Sequence, residues 1–299
     1  MSDVNMGLPI GAVERETGIS KDLLRMWERR YGFPEPARDE QGDRLYAREQ
    51  VEKLRLVRRL MDMGFRPGKI INLSMAELLQ QVQAHQPRLE APAPCHELIR
   101  VLLGHNPAQV QAFLQTRLHE LGLQVFVREF IATCNQLVGE AWMRGELQVY
   151  EEHFYSEQIN RLLRETLSRM SLPMNPPRVL LTTCPGELHM LGLLMVEVVL
   201  RMANAETLPF GCEMPCSDIA SAARKHQVDV VLLSFSSAYE GDVAEQVQTL
   251  LNLLPPQTEI WVGGGGCRGL RSHGQLSVLA NFNELDQCLN QWRLQRQSH

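Results

Sequence analysis

The sequence predicts a multi-domain protein: an α-helical head of winged helix-turn-helix type, a four-helix bundle, and an α/β domain built on a parallel sheet. Three observations carry this. Two short amphipathic patterns near the amino terminus are separated by a Gly18-Ile19 turn and followed by a hairpin pattern. Helical periodicity then persists, with short breaks, over residues 95–171. Beyond residue 178, aliphatic and β-branched runs alternate with helical ones, the order that builds βαβ units.

In the head, residues 9–17 read as a short helix and Ser20 as the N-cap of a second helix running through Arg30. On that second helix Leu23, Leu24, Trp27 and Tyr31 form an apolar stripe. This leaves Lys21, Arg25 and Arg29 on another face, where they can reach bases and phosphates. Residues 37–46, with Gly42-Asp43-Arg44-Leu45-Tyr46, read as a hairpin wing. An amphipathic helix over 48–63 follows, with Val51, Leu54, Val57 and Leu60 inward and Arg55, Arg58 and Arg59 mostly outward.

A capping box, Ser74-Met75-Ala76-Glu77, starts a helix to residue 84, and the Pro-rich stretch 85–94 reads as a linker. Four helical patterns come next: 95–103, 107–121 capped by Asn106, 123–144 and 147–171. Short connections imply antiparallel neighbours. In such packing Trp142, closing the third helix, and Glu152-His153, opening the fourth, come to one end of the bundle.

Residues 178–183 read as a buried strand and 193–200 as a helix, so Cys184-Pro185-Gly186-Glu187-Leu188-His189-Met190-Leu191-Gly192 is a strand-to-helix loop. Such loops lie at the carboxyl ends of parallel strands, where His189 can point at a ligand rather than into the core. The strand over 229–236 ends in Ser234 and Ser236, and the strand over 258–266 ends in four glycines at the same edge. Gly264 and Gly265 are expected to leave room for a bulky polar ligand tail against backbone, and the serines to offer it hydroxyls.

Composition bounds the rest. The 299 residues are 44% hydrophobic and 22% charged, ordinary for a globular protein of two or three domains. Apolar runs are far shorter than a bilayer span, and the start lacks a basic-then-apolar leader, so a cytoplasmic protein is expected. The seven cysteines include no C-x-x-C pair, which suggests neither a zinc site nor a disulfide framework. The net charge of −5 argues against indiscriminate nucleic-acid binding, but residues 1–75 hold 14 basic against 12 acidic residues, and the remainder 16 against 23. A mildly basic head on an acidic body fits a DNA-binding module joined to something else.

Three stretches resemble known families. E-x-H-x-x-G at 187–192, S-x-S at 234–236 and the glycines at 263–266 resemble the cobalamin-binding domain of methionine synthase and the mutases. That likeness implies a flavodoxin-like (Rossmannoid) domain in which His189 is the lower cobalt ligand, with Glu187 as its partner. The nucleotide tail then threads past Gly192, Ser234, Ser236, Gly264 and Gly265. The run Leu24-Arg25-Met26-Trp27-Glu28-Arg29-Arg30-Tyr31-Gly32, with its flanking residues, resembles the winged-helix head of MerR-type regulators. It implies that the second helix enters the major groove while Arg44 and Tyr46 contact the backbone, in paired heads. Finally, Trp142, nine residues, then Glu152-His153 resembles the helical cap of the CarH and LitR light-responsive repressors, in which these residues form the pocket for an adenosyl group. The light-sensing members carry His after that Trp, where this chain has Met143. A thioether is a poor ligand for oxidised cobalt, so illumination is expected to leave a water- or hydroxide-bound cobalt and not a bis-imidazole adduct.

The reading is a DNA-binding repressor, not an enzyme, controlled by cobalamin in its adenosyl form. It acts on double-stranded DNA as a homo-oligomer, dimer or tetramer. Its domains span 1–75 (head), 76–94 (helix end and linker), 95–173 (cap) and 174–299 (cobalamin-binding). One alternative is a regulator with a vestigial pocket, controlled by a partner protein. Another is a cobalamin-dependent methyl carrier, which needs a substrate-activating domain for which no residues remain.

Overall fold

The computed structural model describes residues 7–39, 41–62, 65–85, 91–143, 146–239 and 241–297. Packing divides the chain into two units, Met1–His96 with Asn135–Glu152, and Glu97–Cys134 with His153–His299. The division cuts through helices, so it separates regions of contact and not modules of secondary structure.

The first unit begins with β1 (Leu8–Pro9), α1 (Ile10–Thr17) and α2 (Lys21–Tyr31), then β2 (Ala37–Arg38) and β3 (Arg44–Tyr46). Ser20 caps α2 by accepting from the Leu23 N–H at 3.3 Å, and Gly18 and Gly32 end the two helices in left-handed conformation at φ 64° and 69°. The wing gains a strand that the sequence does not announce: β1 pairs antiparallel with β3, giving the order β1-β3-β2. Then come α3 (Arg48–Asp62), α4 (Pro67–Ile70) and α5 (Met75–His85), the last opened by the Ser74–Glu77 capping box. Leu24, Trp27, Tyr46, Leu54 and Leu60 are completely buried in this unit's core.

The α3 arginines depart from the expected outward face. Arg59 is buried, Arg58 donates to the Gly18 carbonyl at 3.0 Å, and Arg55 is paired with Glu16 at 2.5 Å. The packing of α3 against α1 and α5 buries more of its circumference than a single apolar stripe implies, and long basic side chains fill the margin with their stems.

The helical middle comprises α6 (Ala93–Leu103), α7 (Pro107–Val125), a π-helical stretch Phe126–Ile131, α8 (Ala132–Met143) and α9 (Val149–Arg169). Asn106 caps α7 through the Ala108 and Gln109 amides. Gly122, at φ 71° and ψ 158°, breaks the helix between the two patterns read at 107–121 and 123–144.

The second unit holds β4 (Arg178–Thr182), α10 (Leu191–Met202), β5 (Glu206–Gly211), α11 (Cys216–His226), β6 (Val230–Ser234), α12 (Val243–Leu253), β7 (Glu259–Gly263), β8 (Leu276–Leu279) and α13 (Phe282–Gln297). The five strands are all parallel, in the order β5-β4-β6-β7-β8. From β4 the chain steps outward to β5, then returns past β4 to β6. The strand order therefore reverses between β4 and β6, which opens a crevice at their carboxyl ends.

Candidate functional site

The β4–α10 loop fills that reversal point. His189 has 56% of its side chain exposed, whereas Glu187, two residues earlier, has 1%. The two are joined: Glu187 Oε1 lies 2.6 Å from His189 Nδ1 and accepts the His189 backbone N–H at 2.9 Å. Glu187 Oε2 accepts the Ser236 N–H at 2.6 Å, and Ser236 Oγ lies 3.0 Å from His189 Nδ1. Burial acts to raise the Glu187 pKa, but the hydrogen bonds from His189 and Ser236 outweigh it and hold the carboxyl below the usual range. Glu187 is therefore an anion, His189 Nδ1 carries the hydrogen, and metal ligation would fall to Nε2.

Residues that sequence reading missed brace this loop. Thr183 Oγ1 donates to the Glu187 carbonyl at 2.6 Å and accepts the Glu213 N–H at 2.8 Å; Glu213 in turn accepts from the Gly186 N–H at 3.2 Å. Glu213 sits at φ 60°, a left-handed position that nothing in its sequence context signals.

The glycines serve the chain before they serve a ligand. A Cβ on Gly192 would lie 2.6 Å from Ser234 Oγ, and one on Gly264 would lie 2.2 Å from the Phe235 carbonyl, with φ at 102°. Gly264 thus has a structural reason to be glycine beside the one read from the sequence: the β6 loop crosses its backbone. Gly264 and Gly265 are nonetheless exposed, so bare main chain lines the edge beside Ser236. An imidazole steered by a buried carboxylate, next to exposed backbone without side chains, fits a cobalamin.

Trp142 and Glu152 belong to the first unit, and His153 is the first residue of the second segment of the other. Trp142 is half-buried near the end of α8, with the Arg55 guanidinium 5.7 Å from its ring centroid. Glu152 is half-buried in the first turn of α9, and His153, which follows it, is exposed. Their neighbour Glu151 is buried and reaches back to accept the Gln148 N–H at 2.7 Å, as the acid of a capping box does. The Met143 side chain lies outside the described residues.

On the head, Lys21, Arg25 and Arg29 are exposed along α2, Lys21 paired with Glu14 and Arg25 with Asp22. The wing differs from expectation. Tyr46 is completely buried and its hydroxyl donates to Glu28 at 2.8 Å, so it cannot touch a DNA backbone. Burial, then the bond to Glu28, pushes its pKa up. Arg44 is half-buried, its Nε 3.0 Å from the same carboxylate. Pairing with β1 puts β3 in the middle of the wing, and Tyr46 packs into the head's core with Leu24, Trp27 and Leu54.

Two family models match: the MerR HTH family regulatory protein at residues 8–76 and the B12 binding domain at 177–273. The HTH-type transcriptional repressor CarA of Myxococcus xanthus is 32% identical, over 88% of each chain. The HTH-type transcriptional repressor CarH of the same organism is 28% identical, over 84% of this chain and 86% of the relative. Among solved structures, the monomethylamine corrinoid protein of Methanosarcina barkeri is similar in fold, with a TM-score of 0.51 and 14% identity. That likeness covers 65% of this chain and 96% of the other.

Proposed function

Because the chain belongs to the family of MerR-type transcriptional regulators with a carboxyl-terminal B12-binding domain, we propose that it is a DNA-binding repressor controlled by adenosylcobalamin. The observation that carries this is the Glu187–His189 pair at the strand-order reversal, where a buried anion steers an exposed imidazole.

In this reading the modules run 1–75, 76–94, 95–173 and 174–299. His189 binds cobalt through Nε2, and Glu187 strengthens it as a ligand by accepting from Nδ1–H. Gly192, Ser234, Ser236, Gly264 and Gly265 border the nucleotide tail. Trp142, Glu152 and His153 enclose the upper face and exclude water. The bound cofactor supplies a cobalt–carbon bond that light can break; no side chain performs catalysis. Lys21, Arg25 and Arg29 face double-stranded DNA, Arg44 holds the wing against α2 through Glu28, and heads pair within a cytoplasmic homo-oligomer to read a two-fold site. Among the described residues no helix is long and apolar enough to cross a membrane.

The test is to reconstitute the full chain with adenosylcobalamin in the dark, desalt it, and record its absorption spectrum before and after illumination. A footprint on the DNA upstream of its own gene is taken in parallel. A corrinoid spectrum that survives desalting, with a footprint that changes on illumination, supports the proposal. Colourless protein with an unchanged footprint favours a regulator whose pocket no longer binds.

A further inference from the structure

The sequence pattern turns Arg55 to solvent, yet only 11% of its side chain is exposed. The guanidinium makes two contacts with different ends of the first unit. One Nη lies 2.5 Å from Glu16 on α1, the first helix of the helix-turn-helix pair, and the central carbon lies 5.7 Å from the Trp142 ring centroid. An indole attracts a cation at that range. Arg55 Nε is buried without a hydrogen-bond partner, so the carboxylate and the ring are the contacts that orient the group. Seven residues earlier on α3, Arg48 donates to Gln148 in the α8–α9 connection at 3.3 Å. The corner that carries Trp142 is thus attached to α3 at two points.

We propose that Arg55 is a positioning residue for Trp142: its guanidinium, oriented by Glu16, sets the plane of the indole that meets the upper ligand of the cofactor. This rests on the reading of Trp142 given above. Arginine suits the task because its charge persists at any working pH, its planar group stacks on an aromatic face, and it is more weakly hydrated than an ammonium. The contact also links the two ends of the unit. A ligand that needs the indole in this orientation gains affinity while the Arg55–Glu16 pair is formed, and by reciprocity it strengthens the pair that joins α3 to α1 behind the reading helix.

The experiment titrates the full chain in the dark with two probes, adenosylcobalamin and hydroxocobalamin, which differ only at the upper ligand. Arg55→Gln lowers adenosylcobalamin affinity roughly two- to thirtyfold, the span of a cation–π contact, and leaves hydroxocobalamin affinity unchanged. Arg55→Lys gives a smaller loss of the same kind, as does Glu16→Gln; these variants keep the test open if Arg55→Gln does not fold. In a Trp142→Ala background, Arg55→Gln has no further effect. Equal losses for both cobalamins in Arg55→Lys and Glu16→Gln would reduce Arg55 to scaffold and overturn the proposal. So would no loss at all, or a loss of full size without the indole. A wild-type chain that binds neither probe overturns the functional reading itself, a result distinct from these.

Discussion

Two carboxylates, one in each unit, hold the candidate sites, and they do opposite things. Glu28, 16% exposed in the head, accepts from Arg44 Nε through both oxygens and from the Tyr46 hydroxyl. Glu187, 1% exposed on the sheet, accepts from two backbone amides and an imidazole. In the head, a permanent cation and a buried phenol fold inward onto the acid, so the cluster is a brace between α2 and the wing. On the sheet, the acid is the buried member and its partner is exposed, so the cluster aims a ring outward. A buried carboxylate thus marks a ligand site only when what it orients remains accessible and has a second functional atom.

The largest expected effect breaks the sheet side of this contrast. With His189 as the proposed cobalt ligand, His189→Ala should lower cobalamin affinity by more than about 100-fold, beyond the usual effect of losing a ligand's partner. Nitrogen hyperfine splitting in the Co(II) form should vanish, as electron paramagnetic resonance can read; splitting that persists would assign the ligand elsewhere. Next, Glu187→Gln keeps the loop's shape but not the anion, and should cost about 10–100-fold in affinity, measured by spectral titration. An unchanged affinity would mean that the Glu187–His189 pair is a loop brace like Glu28–Arg44.

The head side is tested by DNA binding and by stability. Arg25→Ala and Arg29→Ala should each lower DNA affinity by about 1–3 kcal/mol if they contact bases in bidentate fashion, with cobalamin titrations unaltered. If footprints of both variants match the wild type, α2 is not the reading helix. On DNA affinity, the smallest effect belongs to Tyr46→Phe. Losing a hydrogen bond to a charged acceptor should destabilise the head by about 1.5–3 kcal/mol in thermal unfolding, while DNA affinity of the folded protein stays the same. A weaker footprint at unchanged stability would return Tyr46 to the DNA surface.

The features legible in the sequence are those whose cause lies within a few residues. Ser20 and Asn106 cap their helices, Ser74 and Glu77 form a box, and Gly122 interrupts a helix, because each acts on backbone at most four positions away. The alternation of strand and helix beyond β4 was legible for the same reason, and with it the place of His189 on a carboxyl-edge loop. Met143 is known only as a residue type, since its side chain is outside the described residues.

What the tertiary structure alone decided is which partner each polar side chain takes. Arg44 and Tyr46 reach Glu28 across 16 and 18 residues, Arg55 reaches Glu16 across 39, and Ser236 reaches Glu187 across 49. Periodicity assigns a side chain to a face of its own element, and by that rule Arg55 belongs outside; it was the resemblance to MerR-type heads that put Tyr46 against a DNA backbone. Burial, however, depends on what covers the face. The pairing of β1 with β3 and the packing of α1 on α3 enclosed these residues, and once enclosed, a charge or hydroxyl has to find a partner wherever the fold supplies one.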